Sequence, residues 1–134
     1  MVSDIFRIVR SWPLIAWGVL FSAPAAAIDP AVGATPDYVQ DIRPILVVHC
    51  FRCHGPQEEE GGLRLDVRER VLKGGVSGPA LVPGKPDESL VYQFITGRNE
   101  DKIVMPPKGK GERLSEPQWE LIRRWIEAGA RWSN

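Results

Sequence analysis

The chain has 134 residues, 43% hydrophobic and 25% charged, which fits a single globular domain. Seventeen basic residues balance seventeen acidic ones, so no net field draws it to nucleic acid or to an anionic membrane surface. Thirteen glycines and twelve prolines leave room for short elements and much loop.

The N-terminus reads as an export signal. Arg7 and Arg10 form a basic start, diluted by Asp4. "PLIAWGVLFSAPAAA" then gives a short apolar run ending in small residues. Ala25 and Ala27 place cleavage after Ala27, and Ala23 with Ala25 offers an earlier site. The run is too short to span a bilayer comfortably, and an uncleaved anchor is the competing reading. The expected organisation is a signal peptide (1–27), a flexible leader (28–37) and a folded domain (38–134). A domain this small often relies on a disulfide, metal or cofactor.

Asp41 is the expected cap of a first helix that takes Pro44 in its first turn. Ile45, Leu46 and Val48 give it an apolar face leading into "HCFRCHGP". Cys50 and Cys53 are the only cysteines, and His54 follows directly. C-x-x-C-H is the attachment signature of c-type haem. The two thiols add to the haem vinyl groups, and the next residue, His54, sits under the iron as proximal ligand. A redox C-x-x-C fits export but lacks its usual βαβ context. A structural disulfide is a second alternative. A zinc site is short of ligands, with two cysteines and two histidines in the whole chain. His49, just before Cys50, reads as a partly exposed helix residue more than as a ligand.

Glu58, Glu59 and Glu60 read as a solvated loop. Asp66 with Glu69 suggests a capping box for a short helix over 67–73, stopped by Gly74. In "SGPALVPG", residues 77–84, Pro79 offers a carbonyl to the second N–H of the proximal histidine and Leu81 a contact for the porphyrin face. An ordinary Gly-Pro turn is the alternative. Asp87 caps a helix over 88–96, closed by Gly97, with Leu90, Val91, Phe94 and Ile95 at helical spacing.

Met105 stands in "KIVMPPKGKGE", pinned by Pro106 and Pro107. A loop is an unusual place for a core-filling methionine. A thioether there would complete the Met/His pair of an electron-transfer haem and raise its potential. Packing on the core is the competing role. Lys102, Lys108 and Lys110 flank the loop, as a solvated stretch or as a docking rim for an acidic redox partner. The last helix is the clearest: Ser115 and Gln118 form a capping box, Leu114 and Trp119 a hydrophobic staple, and Gly129 the stop. Trp119 and Trp125 are expected to pack on the first helix and beside the haem.

Five stretches, "DIRPILVVHCFRCHG", "GGLRLD", "VLKGGVSGPALVPGKPDESL", "MPPKGK" and "LSEPQWELIRRWIEAGARW", resemble the planctomycete-type cytochrome c domain across residues 38–132. The resemblance implies an all-α, small cytochrome c fold of short helices and long loops wrapped around a covalent haem. It implies haem c on Cys50 and Cys53, with His54 as proximal and Met105 as distal iron ligand. Such domains often open longer exported proteins. Here the chain ends just after the domain, so a free-standing carrier is the simplest expectation.

The expected function is a one-electron carrier, not an enzyme: an exported, periplasmic mono-haem cytochrome, membrane-tethered if the signal stays. It would work as a monomer with a redox partner protein and without nucleic acid or a stable membrane span. The rivals are a haem-based peroxidase or gas sensor with an open iron site, and an interaction module whose haem is structural.

Overall fold

A computed structural model of the chain describes residues 34–133. The expected signal segment and the first part of the leader lie outside them. The described residues are helical, with two isolated β-bridges and no longer strand pairing. The fold is all-α, with short helices and long loops. Five α-helices follow one another: α1 (Arg43–His49), α2 (Phe51–His54), α3 (Arg68–Lys73), α4 (Leu90–Thr96) and α5 (Glu116–Glu127). A π-helical turn, Tyr38–Ile42, leads into α1. Among the described residues no helix is long and apolar enough to cross a membrane.

The first cap differs from expectation. Asp37, not Asp41, accepts from the Gln40 N–H at 2.9 Å, while Asp41 reaches back to the Asp37 N–H at 2.7 Å. The cap therefore sits four residues earlier, and the π-helical turn takes up the extra length. Pro44 stands in the first turn of α1, where its missing N–H costs nothing. Helix α3 begins at Arg68 without a side-chain cap, because Asp66 is engaged elsewhere. Its stop is Gly74, at φ 78°, where an added Cβ would lie 1.7 Å from the Gly78 carbonyl oxygen. Helix α4 ends as expected at Gly97, in the left-handed conformation. At the start of α5 the Ser115 N–H donates to Gln118 Oε1 at 2.8 Å, the return arm of the capping box.

The core lies where α1, α4 and α5 meet the N-terminal turn. Ile42, Tyr92, Ile122 and Ile126 are almost wholly buried. Trp119 and Trp125 serve this core and, against expectation, do not border the cavity described below. Trp125 packs on Tyr38, ring centroids 5.8 Å apart, and donates its Nε1–H to the Arg131 carbonyl at 2.8 Å. Trp119 meets Tyr92 edge to face at 6.3 Å. Every third or fourth residue of α5 faces one way, and that way is the core.

Two polar clusters hold the loops. Ser89 is fully buried and has no role as a helix cap. Its Oγ accepts from the Val82 N–H at 2.9 Å and donates toward the Lys85 carbonyl, also at 2.9 Å. That pins the turn 82–85 onto the start of α4. The second cluster is a fork: Arg64 donates through Nε and Nη2 to both Asp66 oxygens, at 2.6 and 2.5 Å, and through Nη1 to Glu59. Arg70 takes the other oxygen of Glu59. Glu59 in turn is paired through its backbone with His54.

Ser89→Ala should cost about 1–3 kcal/mol, because it strands buried backbone groups. Thermal unfolding followed by circular dichroism would show the lowered Tm with the helices intact. The fork predicts acid sensitivity. The hydrogen bond from Arg64 holds both Glu59 and Asp66 below the ordinary carboxylate range. A carboxylate lowered on folding contributes stability that is present above its unfolded pKa and lost as pH falls through the folded one. Wild type should therefore outlast Arg64→Gln in urea at pH 7, and the gap should close below about pH 4.

Candidate haem site

One turn of chain sets the first half of the site. The His54 N–H bonds to the Cys50 carbonyl at 2.9 Å and the Cys53 N–H to the same oxygen at 3.1 Å. Residues three and four apart on such a turn share a face. Cys50, Cys53 and His54 thus border the same cavity, of about 560 Å³. That volume falls within the roughly 300–1,000 Å³ of cofactor and small-molecule sites. The loop after the turn doubles back, so that the Leu65 N–H reaches the His54 carbonyl at 2.8 Å.

The second half comes from α4 and the loop beyond it. Leu90, Val91, Phe94 and Ile95 form an apolar wall, continued by Leu63, Leu65 and Ala80. Met105 borders the same cavity with Pro106 and Pro107. Its N–H donates to the Phe94 carbonyl at 2.9 Å, which docks the loop on α4. The Met105–Pro106 peptide bond is cis. Met105 follows His54 by 51 residues, yet both line one space.

The rim is mixed. Val48 and Val76 line it while 72% and 88% exposed, and the charged side chains on the lining are Arg52, Glu60, Lys108 and Lys110. Lys102, expected beside them, does not line the cavity and stands apart with a positive φ of 56°.

The cysteine chemistry separates the candidate readings. Both thiols are free. Burial, then the neighbouring Cys53, pushes the Cys50 thiol up to about 12. A reactive C-x-x-C cysteine needs the opposite shift, toward thiolate. A zinc ligand set is not gathered either: among the described residues no three His, Cys, Asp or Glu converge on a metal position. A protonated thiol in an apolar pocket, beside an imidazole and across from a thioether, fits a haem attached through C-x-x-C-H.

His49 is held by two partners. Its Nδ1 lies 2.8 Å from the Glu112 carbonyl and its Nε2 3.2 Å from Gln118 Nε2. With Nδ1 protonated the ring donates to the carbonyl and accepts from the amide. Neither nitrogen is then left for iron, and His49 instead ties α1 to the far end of the methionine loop and to α5.

Pro79 and Leu81 are placed otherwise than expected. The Ala80 N–H bonds to the Val71 carbonyl and the Ala80 carbonyl accepts from the Val91 N–H. This run, stretched between α3 and α4, leaves Pro79 exposed and turns Leu81 into the core at 3% exposure. Gly78 and Ala80 line the cavity in their stead. The Nδ1 of His54 is buried and makes no hydrogen bond among the described residues, to Pro79 or to any other acceptor.

Sequence reasoning passed over Arg52, Leu63 and Val76 as wall residues. The α4 positions were visible as an apolar face, but periodicity does not say whether such a face meets protein or a cofactor.

Residues 50–109 match the family described as Planctomycete cytochrome C, a span that opens on the first cysteine and closes within the methionine loop. No match was found among curated proteins or among solved structures. The family implies haem binding and electron transfer. From the C-x-x-C-H turn to the methionine loop, the chain carries a planctomycete-type cytochrome c domain.

Proposed function

We propose that the protein is an exported mono-haem c-type cytochrome that carries single electrons. Cys50 and Cys53 would tether the haem, and His54 and Met105 would ligate its iron. The observation that carries this reading is that these four side chains border one cavity with apolar walls, although Met105 is far from the other three in the chain. When bound, the haem supplies the one-electron couple of its iron. The chain does the rest. Cys50 and Cys53 would hold the group at one side of the cavity, and the apolar wall of α4 would keep water away from it. With His54 and Met105 both as ligands, no coordination site would be left open for peroxide or gas. A thioether ligand and a dry site both favour the reduced iron and raise the potential. Arg52, Lys108 and Lys110 outnumber Glu60 on the rim, which suits a redox partner with an acidic face.

The test is the visible spectrum of the protein made in a host that attaches haem, oxidised and reduced, beside Met105→Ala. Wild type should show covalent haem and the weak far-red band of methionine–iron ligation. Met105→Ala should lose the band, bind cyanide readily and have a lower potential. An unchanged mutant spectrum would remove Met105 from the iron and give first place to the open-site sensor or peroxidase reading. Export is checked separately: the secreted protein should begin at Ile28 by N-terminal sequencing.

A further inference from the structure

The segment that carries Met105 is attached in an unusual way. Ile103 is 42% exposed, so burial of its own side chain does not seat it. What holds it is a buried amide. Asn99, 6% exposed, lies three residues beyond the end of α4. Its Nδ2–H donates to the Ile103 carbonyl at 2.5 Å, and its Oδ1 accepts from the Ile103 N–H at 3.0 Å. The same Nδ2 lies 3.4 Å from the Gln93 carbonyl of α4. One side chain thus takes both backbone groups of a single residue, as a neighbouring strand would, and leans on the helix behind it. Two residues on, the Met105 N–H reaches the Phe94 carbonyl, also on α4. Between them the chain approaches the helix end so closely that a Cβ on Gly97 would lie 2.9 Å from Val104 Cγ2.

We propose that Asn99 is the positioning residue for the axial methionine: through Ile103 it fixes the path of the loop, so that the Met105 sulfur is presented to the cavity already in place. The proposal rests on the His54/Met105 reading above. Its chemistry is specific to asparagine. The amide offers a donor and an acceptor at once. Aspartate keeps the acceptor and loses the donor, and alanine loses both and leaves the Ile103 N–H and C=O without these partners. A weak ligand on a loop gains most from such preorganisation, because each freedom left to the loop competes with the iron–sulfur bond.

The experiment compares Asn99→Ala, Asn99→Asp, Ser89→Ala and Met105→Ala as haem-loaded proteins. The readouts are the far-red band, the affinity for added imidazole and the Tm. Ser89 is the control for structure, since it is a buried polar residue pinning a different loop. Asn99→Ala should weaken the band and bind imidazole on the order of tenfold more tightly than wild type, the worth of about one hydrogen bond. Asn99→Asp should fall between, and it carries the test if the alanine variant does not fold. Ser89→Ala should lose Tm with band and imidazole affinity unchanged. The proposal is overturned if the Asn99 variants keep wild-type band and affinity, or if Ser89→Ala changes them equally at equal loss of Tm. If Met105→Ala also keeps the band, the ligand reading has failed and this inference falls with it. If Met105→Ala loses the band and the Asn99 variants do not, only the inference falls.

Discussion

Helix α4 has to satisfy two surfaces at once, and the rest of the molecule is arranged around that demand. Tyr92 packs on Trp119 of α5 and Ile95 is buried in the core, while Leu90, Val91, Phe94 and the cavity side of Ile95 form the wall of the cavity. A seven-residue helix cannot stand by its own propensity, so it depends on both contacts. Ser89 anchors its first turn, and the Asn99 turn follows its end. The loop that returns over it brings Met105. The cavity is thus a product of the core: the residues that fix α4 against α5 also fix where the wall faces.

Across from α4, the C-x-x-C-H turn is held less by apolar packing than by its neighbours' backbones. The His54 carbonyl takes the Leu65 N–H, Glu59 pairs beside it, and the Arg64 fork closes the loop. The bidentate limb of the fork is half-buried and charge-assisted, so it sets the geometry of the loop. Burial pushes the Cys50 thiol up to about 12, away from the thiolate form.

His49 and Asn99 hold opposite ends of the methionine loop. One ties Glu112 to α1, the other ties Ile103 to α4. Between these ties Pro106 is buried and Val104 and Met105 are half-buried, while Pro107, Lys108, Gly109 and Lys110 are all exposed. The loop's position is set by the hydrogen bonds at its ends, by the Met105 N–H on Phe94, by that burial and by the fixed φ of its prolines.

What the sequence determined by itself was local. The C-x-x-C-H spacing needs one helical turn, and the Gly74 and Gly97 stops and the Gln118 return arm act within four residues, so each was legible without a fold. Local rules failed where tertiary demand captured a side chain. Asp66 was drawn from capping into the Arg64 fork, Asp87, expected to cap α4, stands inside a short 3-10 turn (Pro86–Glu88) ahead of it, and Leu81 turned inward when its neighbour Ala80 was bonded between α3 and α4. The tryptophans of α5 read correctly as core but were expected beside the haem. An apolar face declares that it must be buried, not against what. Only the tertiary structure brought Met105 to the cavity that His54 lines, because that meeting depends on the packing of α4 on α5 and on a buried amide, both beyond the range of any local pattern.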